Sequence, residues 1–294
     1  MTFVASLAAG TSTAYGASCC GGGFASPSLI VGDDKASLSA DLSYSNVATE
    51  VSAVGNWEER SSPESLETLR LQGAHIFKDR YQIGASVPVV RRSRASSNSA
   101  GFGDVALNFG YETLPDWDYS AWRPRGVSYI SVIAPTGRAV QESTETLQLD
   151  ARGRGFWAVG VGTTLTKTFT RYDFNATAEA HRSFAREVKT STIEGELRPG
   201  YGALASVGLG YNIRDTRLGV SLAFNYEDAI AVDGTITSPG AATQVVTAGL
   251  ALSQMFGDAW AVSLSYSDQT WFGTPINTSL ARTVGFTAQR RFSR

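Results

Sequence analysis

The chain has 294 residues and a formal net charge of −2. Its length fits one large β domain or two small ones, and its near-neutral charge excludes a protein that binds nucleic acid through a basic surface. No stretch approaches the roughly 20 apolar residues that a membrane-spanning helix needs. A transmembrane β-barrel stays open, because its strands alternate apolar and polar residues.

The N-terminal residues predict a targeting segment followed by a flexible lead. An apolar run at 3–9 and the small residues around Ala17 are typical of a signal peptide at 1–17, although no positive charge precedes the run. The glycine-rich segment 18–35 is the predicted lead. Within it, Cys19 is a candidate for acylation, but the leucine usual in lipoprotein signals is missing. The alternative is that Cys19 and its neighbour Cys20 are incidental small residues.

Alternation of apolar and polar residues predicts the strands of the rest of the chain. It places twelve of them, at 36–45, 66–78, 81–89, 104–112, 126–134, 156–166, 171–181, 192–211, 217–226, 243–255, 259–267 and 282–292. Pro199 predicts a bend in the eighth, because proline cannot donate to the ladder.

The hairpin at 201–226 shows this alternation most clearly. In its second arm Leu218, Val220 and Leu222 share one face, whereas Gly219 and Ser221 lie on the other. Successive side chains of a strand point to opposite faces. One face therefore suits lipid, and the other suits water or a crowded interior.

The links between predicted strands favour a barrel. Long polar links alternate with links of a few residues, and 113–125 is the exception. This segregation is typical of outer-membrane barrels with both termini in the periplasm. We therefore expect an all-β, antiparallel up-and-down barrel of about twelve strands, forming one domain at 36–292 in the outer membrane of a Gram-negative bacterium.

Aromatic residues at strand ends predict two girdles at the membrane interfaces. The predicted periplasmic girdle consists of Tyr81, Tyr111, Tyr172, Tyr211, Trp260 and Phe292, and the outer girdle of Tyr44, Phe156, Tyr226 and Tyr266.

Polar residues on the opposite strand faces predict the lining of the lumen. These are Asn108, Glu112, Asp173, Asn175, Glu179, His181, Glu194, Glu196 and Arg198. The seventh and eighth predicted strands would bring the last five of them together by antiparallel pairing. Small residues at Ala158, Gly160 and Gly162 predict either subunit packing or a fit to the taper of a small barrel.

Catalysis is the disfavoured interpretation of these polar residues. Glu179 could orient His181 as a base for Ser183, but no nucleophile motif accompanies them, and inward polar groups of a barrel pair with each other anyway. His75, on an apolar face, is expected near an interface or a protein contact. No metal-ligand spacing and no cofactor motif is present, so we predict a protein that is not an enzyme.

Three resemblances follow from the residues. The last strand, 284–292, resembles the C-terminal signal that the barrel assembly machinery recognises, except that Ser293 and Arg294 follow the aromatic Phe292. Gly101-Phe102-Gly103-Asp104-Val105 is similar to a recurrent segment of uncharacterised outer-membrane transporter barrels. The chain as a whole resembles the porin-like barrels of predatory bacteria, which form homo-oligomers that enclose lipid.

These resemblances imply a porin-like protein or transporter for small solutes or lipidic molecules, assembled as a homo-oligomer. The alternative is a plugged barrel that builds a lipid-enclosing structural oligomer. Membrane lipid and lipopolysaccharide are the expected partners. Arg91, Arg92 and Arg94 are candidates for binding lipopolysaccharide phosphates, and a solvated charged loop is the simpler explanation.

Overall fold

The computed structural model describes residues 27–116, 120–189, 194–234 and 237–293. Twelve strands form the wall of one barrel: β1 (Asp34–Val51), β2 (Trp57–Phe77), β3 (Tyr81–Arg94), β5 (Val105–Leu114), β6 (Arg125–Ala134), β7 (Ala158–Thr168), β8 (Tyr172–Ser183), β11 (Tyr201–Ile213), β12 (Thr216–Glu227), β14 (Thr243–Phe256), β15 (Trp260–Asp268) and β16 (Thr278–Ser293). A further strand, β4 (Ser97–Phe102), pairs with the C-terminal part of β3. Three short strands, β9 (Arg186–Lys189), β10 (Glu194–Arg198) and β13 (Ala231–Gly234), form a separate sheet.

The wall closes because its first and last strands pair. β1 is antiparallel to β16 along its length, from Asp34 opposite Ser293 to Val51 opposite Thr278, while β2 pairs with both β1 and β3. Every neighbouring pair in the wall is antiparallel. The predicted closed, antiparallel barrel of twelve strands is therefore confirmed.

The outer face of the wall is apolar and the inner face is polar. Along β12, Leu218, Val220 and Leu222 are exposed on the outside, whereas Arg217 on the inside forms an ion pair with Asp173 of β8. An apolar outer belt around a closed sheet is the arrangement that hydrocarbon requires, because no backbone edge is left unpaired. No helix among the described residues is long and apolar enough to cross a membrane.

Aromatic residues on the outer face pair across neighbouring strands. The Tyr81 ring contacts that of Tyr111, and the Tyr172 ring that of Tyr211, each as a tilted pair with ring centroids 5.1 Å apart. Both pairs lie at the barrel end that carries the start of β1 and the end of β16, which is the periplasmic end in barrels of this type. Strand parity places the other predicted girdle residues on the outer face as well, namely Tyr44, Tyr226, Trp260, Tyr266 and Phe292. Phe156 differs, since it is buried before the start of β7.

The strands at the opposite end are longer than predicted. β1 and β2 continue through much of the predicted loop 46–65, and β3 with β4 forms a hairpin over the predicted loop 91–103. Beyond the membrane a strand can carry polar residues on both faces while its hydrogen-bond ladder continues. Alternation of apolar residues therefore ends before the strand does.

The predicted strand at 192–211 is wrong in its first part. The strand is interrupted at Pro199 and Gly200. As a result β10 belongs to the separate sheet, and β11 enters the wall at Tyr201. The proposed lumen residues Glu194, Glu196 and Arg198 consequently lie outside the wall. They form ion pairs on that sheet instead, Lys189 with Glu194 at 2.8 Å and Arg198 with Glu196 at 2.7 Å.

Other predictions from the N-terminal part have mixed outcomes. The signal peptide 1–17 and the acylation candidates Cys19 and Cys20 lie outside the described residues. Residues 27–33, which belong to the predicted flexible lead, contain the buried side chains Ser28 and Ile30.

Adjacent residues of β12 offer a direct test of the two faces. We expect Leu222→Arg to lower the free energy of unfolding by about 2–4 kcal/mol, because it places a cation in hydrocarbon near the middle of the strand. Ser221→Arg, one residue earlier and facing the lumen, should cost much less. Urea unfolding of the protein refolded into lipid vesicles measures both values, and equal losses would contradict the assignment of faces.

Candidate functional site: the barrel lumen

The lumen wall has two halves of different character. We call the inward residues of β2, β3, β5, β6, β7, β8 and β11 the covered face, because most of them are buried; they include Glu64, Gln82, Arg92, Asn108, Glu112 and Glu179. We call the inward residues of β12, β14, β15, β16 and β1 the open face. Along the central parts of these strands it remains partly exposed, and Ser221 is exposed.

The N-terminal segment 27–33 covers the periplasmic part of the covered face. The side-chain amide of Gln82 donates to the Ile30 carbonyl oxygen and accepts from the Ile30 N–H, both at 2.8 Å. Ile30 packs on Ala74 and Ile76. A Cβ on Gly84 would lie 1.8 Å from the Ser28 carbonyl oxygen, so only glycine admits the segment there.

This segment leaves a cleft on its other side. A cavity of about 540 Å³ separates Val31 from the polar wall of β8 and β12. Within it, Arg217 binds both carboxylate oxygens of Asp173, at 2.6 and 2.8 Å, and Asn212 donates to the same group at 2.9 Å. The segment therefore narrows the periplasmic opening without filling it.

The long loop 135–157 crosses the opposite, outer half of the lumen. On one side Arg92 of β3 donates to the carbonyl oxygens of Gln148 and Ala151, at 3.0 and 2.7 Å. On the other side Arg154 of the loop binds both carboxylate oxygens of Glu227 in β12, at 2.6 and 2.8 Å. β3 and β12 are six strands apart in a closed wall of twelve, so these two attachments lie on opposite sides of the barrel.

Two carboxylates hold the loop in shape. Asp104, between β4 and β5, accepts from the N–H groups of Gly137 and Arg154 at 2.9 and 2.6 Å. Asp150 accepts from Arg138 at 2.7 Å and from the side chain of Ser143. Burial raises the pKa of Asp150, but the hydrogen bonds from Ser143, Arg138 and the Thr144 N–H outweigh it and bring the pKa to about 2. The loop is thus an ordered part of the lumen.

The separate sheet of β9, β10 and β13 packs on this loop from outside. Phe156 of the loop is buried against Val188 and Leu197, and Arg186 of β9 forms an ion pair with Glu142 at 3.0 Å. Glu142 ends the short 3-10 helix Val140–Glu142. The sheet therefore supports the loop from the side opposite the membrane.

Six of the predicted lumen residues point inward, but they do not form a catalytic group. Glu179 accepts from Ser131 at 3.0 Å, and the imidazole Nε2 of His181 lies 3.1 Å from both carboxylate oxygens of Glu227. The His181 side chain is 1% exposed, so solute in the lumen does not reach it. Glu112 is bound by Arg125 at 2.5 Å, and Asp173 by Arg217; Asn108 and Asn175 also face inward.

Three further predictions concern positions near the lumen. Gly160 and Gly162 face inward, where a Cβ on Gly160 would lie 2.5 Å from the Ser131 hydroxyl, so they make room for lumen side chains rather than for another subunit. Arg92 is 2% exposed and therefore cannot bind lipopolysaccharide, while Arg91 is 3.6 Å from Glu67 on the outer face. His75 faces outward, and its ring contacts that of Phe77 in a tilted pair with ring centroids 4.4 Å apart.

Sequence reasoning missed Arg92, Arg154 and Glu227 as lumen residues. The alternation of inward and outward side chains along a strand would have identified two of them. Arg92 is in phase with the inward positions of β3, and Glu227 is in phase with Ser221. Arg154 lies in an irregular loop and offers no such signal.

Solved outer-membrane barrels are similar to this chain. An outer-membrane channel from Pseudomonas putida F1 superposes with a TM-score of 0.74 at 13% identity, over 90% of this chain and 97% of that one. The NanC porin covers 87% of this chain and 100% of its own at 10% identity, with a TM-score of 0.47. No protein-family model and no curated protein matches the sequence.

The chain has the fold of an outer-membrane channel. Its apolar outer belt and closed sheet place it in the outer membrane of a Gram-negative bacterium, as the sequence predicts. Homo-oligomerisation and lipid binding stay predictions.

Arg92 should control whether the loop 135–157 remains in the lumen. Arg92→Ala leaves the buried Ala151 carbonyl oxygen without its donor, which costs about 1–3 kcal/mol, and leaves the Gln148 carbonyl oxygen with the Ala151 N–H, at 3.2 Å. In this variant Glu64 is not left without a partner, because it retains its ion pair with Arg60 at 2.8 Å. We expect faster trypsin cleavage at Arg138, Arg152 and Arg154 in the detergent-solubilised protein. Arg91→Ala, one residue earlier on the outer face, is the control and should leave the cleavage rate unchanged.

The low pKa of Asp150 predicts that acid loosens the loop. An aspartate in an unfolded loop has a pKa of about 3.9. Because the folded value is lower, at about 2, the carboxylate stabilises the loop above the unfolded pKa, and this contribution is lost as the pH falls from about 4 to about 2. Pepsin cleavage of the loop should therefore rise steeply over that interval. In Asp150→Asn the loop should be cleaved at both ends of the interval, and an unchanged pH profile in this variant would contradict the assignment.

Proposed function

We propose that this protein is a porin-like channel through which small solutes diffuse across the outer membrane. The observation that supports the proposal most is the open face. Although the segment 27–33 and the loop 135–157 both enter the lumen, Ser221 near the middle of β12 is exposed on the inward side. Water therefore reaches the centre of the barrel along this face.

The two inserted elements set the size of the passage. The loop is fixed on opposite walls, by Arg92 and by Glu227. The segment is fixed by Gln82, beside the cleft of about 540 Å³. A barrel of twelve strands is only moderately wide before any loop enters it. The passage should accordingly admit small solutes and exclude large ones.

Single-channel recording in planar bilayers tests this proposal. We expect the folded protein to give small, stepwise currents, and Arg92→Ala to give larger steps because the loop no longer holds its place. Arg91→Ala should match the unmodified protein. Heat-modifiable migration on gels verifies that each preparation is folded.

The plugged barrel is the competing outcome of the same recording. If the folded protein and Arg92→Ala both gave no current and no swelling of proteoliposomes in glycerol, the proposed channel would be wrong and a structural role would replace it.

A further inference from the structure

We propose that the open face makes this channel suited to small, uncharged polar solutes, such as polyols, rather than to ions. This inference rests on the proposed channel function and adds the class of solute. It follows from which side chains line the open face, how they are bonded, and where the charges of the lumen lie.

The open face is built from small side chains, many of which carry a hydroxyl group. The inward positions of β14 and β15 include Ser253, Ser263 and Ser265, and those of β12 include Ser221. The hydroxyl oxygens of Ser253 and Ser263 are 2.7 Å apart. A hydroxyl group both donates and accepts hydrogen bonds, so such a surface can replace the water around a neutral polar solute in either role.

Glycine keeps this surface recessed. Gly249 lies opposite Ser221 in the register of β12 and β14, and a Cβ there would be 2.6 Å from the Ser221 hydroxyl oxygen. Any larger residue at 249 would displace that hydroxyl into the passage. The width of the open face at its centre thus depends on this residue pair.

Apart from Asp41 of β1, the charged groups of the open face lie near the two mouths and are paired. At the periplasmic mouth Arg217 binds Asp173, and Arg291 lies 2.7 Å from Asp34. At the outer mouth Glu227 binds Arg154. Between these positions the inward residues of the described strands β12, β14, β15 and β16 include no ionisable side chain.

Asp41 of β1 borders the neutral region and is itself bonded. Its carboxylate accepts from Gln72 at 2.7 Å and from Thr287 at 2.6 Å, and Arg70 of β2 is its register partner. The Asp41 carboxylate therefore accepts one hydrogen bond from the covered face and one from the open face. A passing ion finds no row of opposite charges to offset the water it loses in a narrow passage, whereas a polyol exchanges its water for hydroxyl groups at little cost.

Two measurements on the same reconstituted protein test the inference. Swelling of proteoliposomes should be faster in glycerol or erythritol than in charged solutes of similar size. The reversal potential in a potassium chloride gradient should lie near zero, because the neutral region favours neither ion. Swelling restricted to charged solutes, or strong selectivity for one ion, would overturn the assignment of solute class while leaving the channel itself intact.

Substitutions on the open face sharpen the test. Ser263→Asp places a carboxylate in the neutral region and should raise the permeability ratio of potassium to chloride several-fold, with polyol swelling less affected. Ser97→Asp, at the exposed β3–β4 hairpin outside the wall, is the matched control and should leave the ratio near one. Gly249→Val should slow erythritol more than glycerol.

The outcomes separate the inference from the function on which it rests. If the folded protein permeated no solute and no ion, both would be wrong. If Ser263→Asp and Ser97→Asp changed the permeability ratio equally, the passage would not follow the open face, although a channel would remain.

Discussion

The pairing of β1 with β16 is the constraint on which the rest of this structure depends. In hydrocarbon each unpaired N–H or C=O group costs several kcal/mol, so a sheet can span the membrane only when its first and last strands meet. Once the sheet is closed, strand parity decides for every wall residue whether it faces lipid or lumen. Val220 and Ser221 are adjacent in sequence and lie in media of opposite polarity. All specific chemistry of the lumen must then come from alternate residues and from segments that are not part of the wall.

The wall was predictable from sequence because its signal is local. Each strand carries its own alternation, and short turns such as 214–215 fix the register of the next strand without information from elsewhere. The inward positions of Asp173, Glu179 and His181 followed from the same parity. The prediction failed where alternation and strand ceased to coincide. Above the membrane, β1, β2 and β3 continue with polar residues on both faces, and at Pro199 an apparently continuous pattern joins two strands of different sheets.

The elements that enter the lumen could not be predicted in the same way, because what holds them is distant in sequence. Gln82 binds Ile30 across 52 positions, and Arg154 binds Glu227 across 73. Neither the segment 27–33 nor the loop 135–157 has a periodic pattern, and several of their backbone groups are bonded by side chains of the wall. A sequence shows that Arg92 faces inward, but it does not show which carbonyl oxygens will meet it. The partners emerge only when closure of the barrel brings β3 and β12 to opposite sides of one narrow space.

The uneven distribution of charge in the lumen has a physical reason. A buried ionic group is stable only when its partners satisfy it, so the covered face can keep Glu64, Arg92 and Glu112 because each is bound by a neighbour or by an inserted segment. The same groups on the open face would attract counter-ions and bind passing solutes. The loop and the segment are held by the covered face and by Glu227 at the outer mouth of β12, while the central inward residues of β12, β14, β15 and β16 carry no ionisable side chain. A narrow barrel can in this way hold inserted segments firmly and still keep part of its lumen open, since the ion pairs that fix these segments lie away from the centre of the open face.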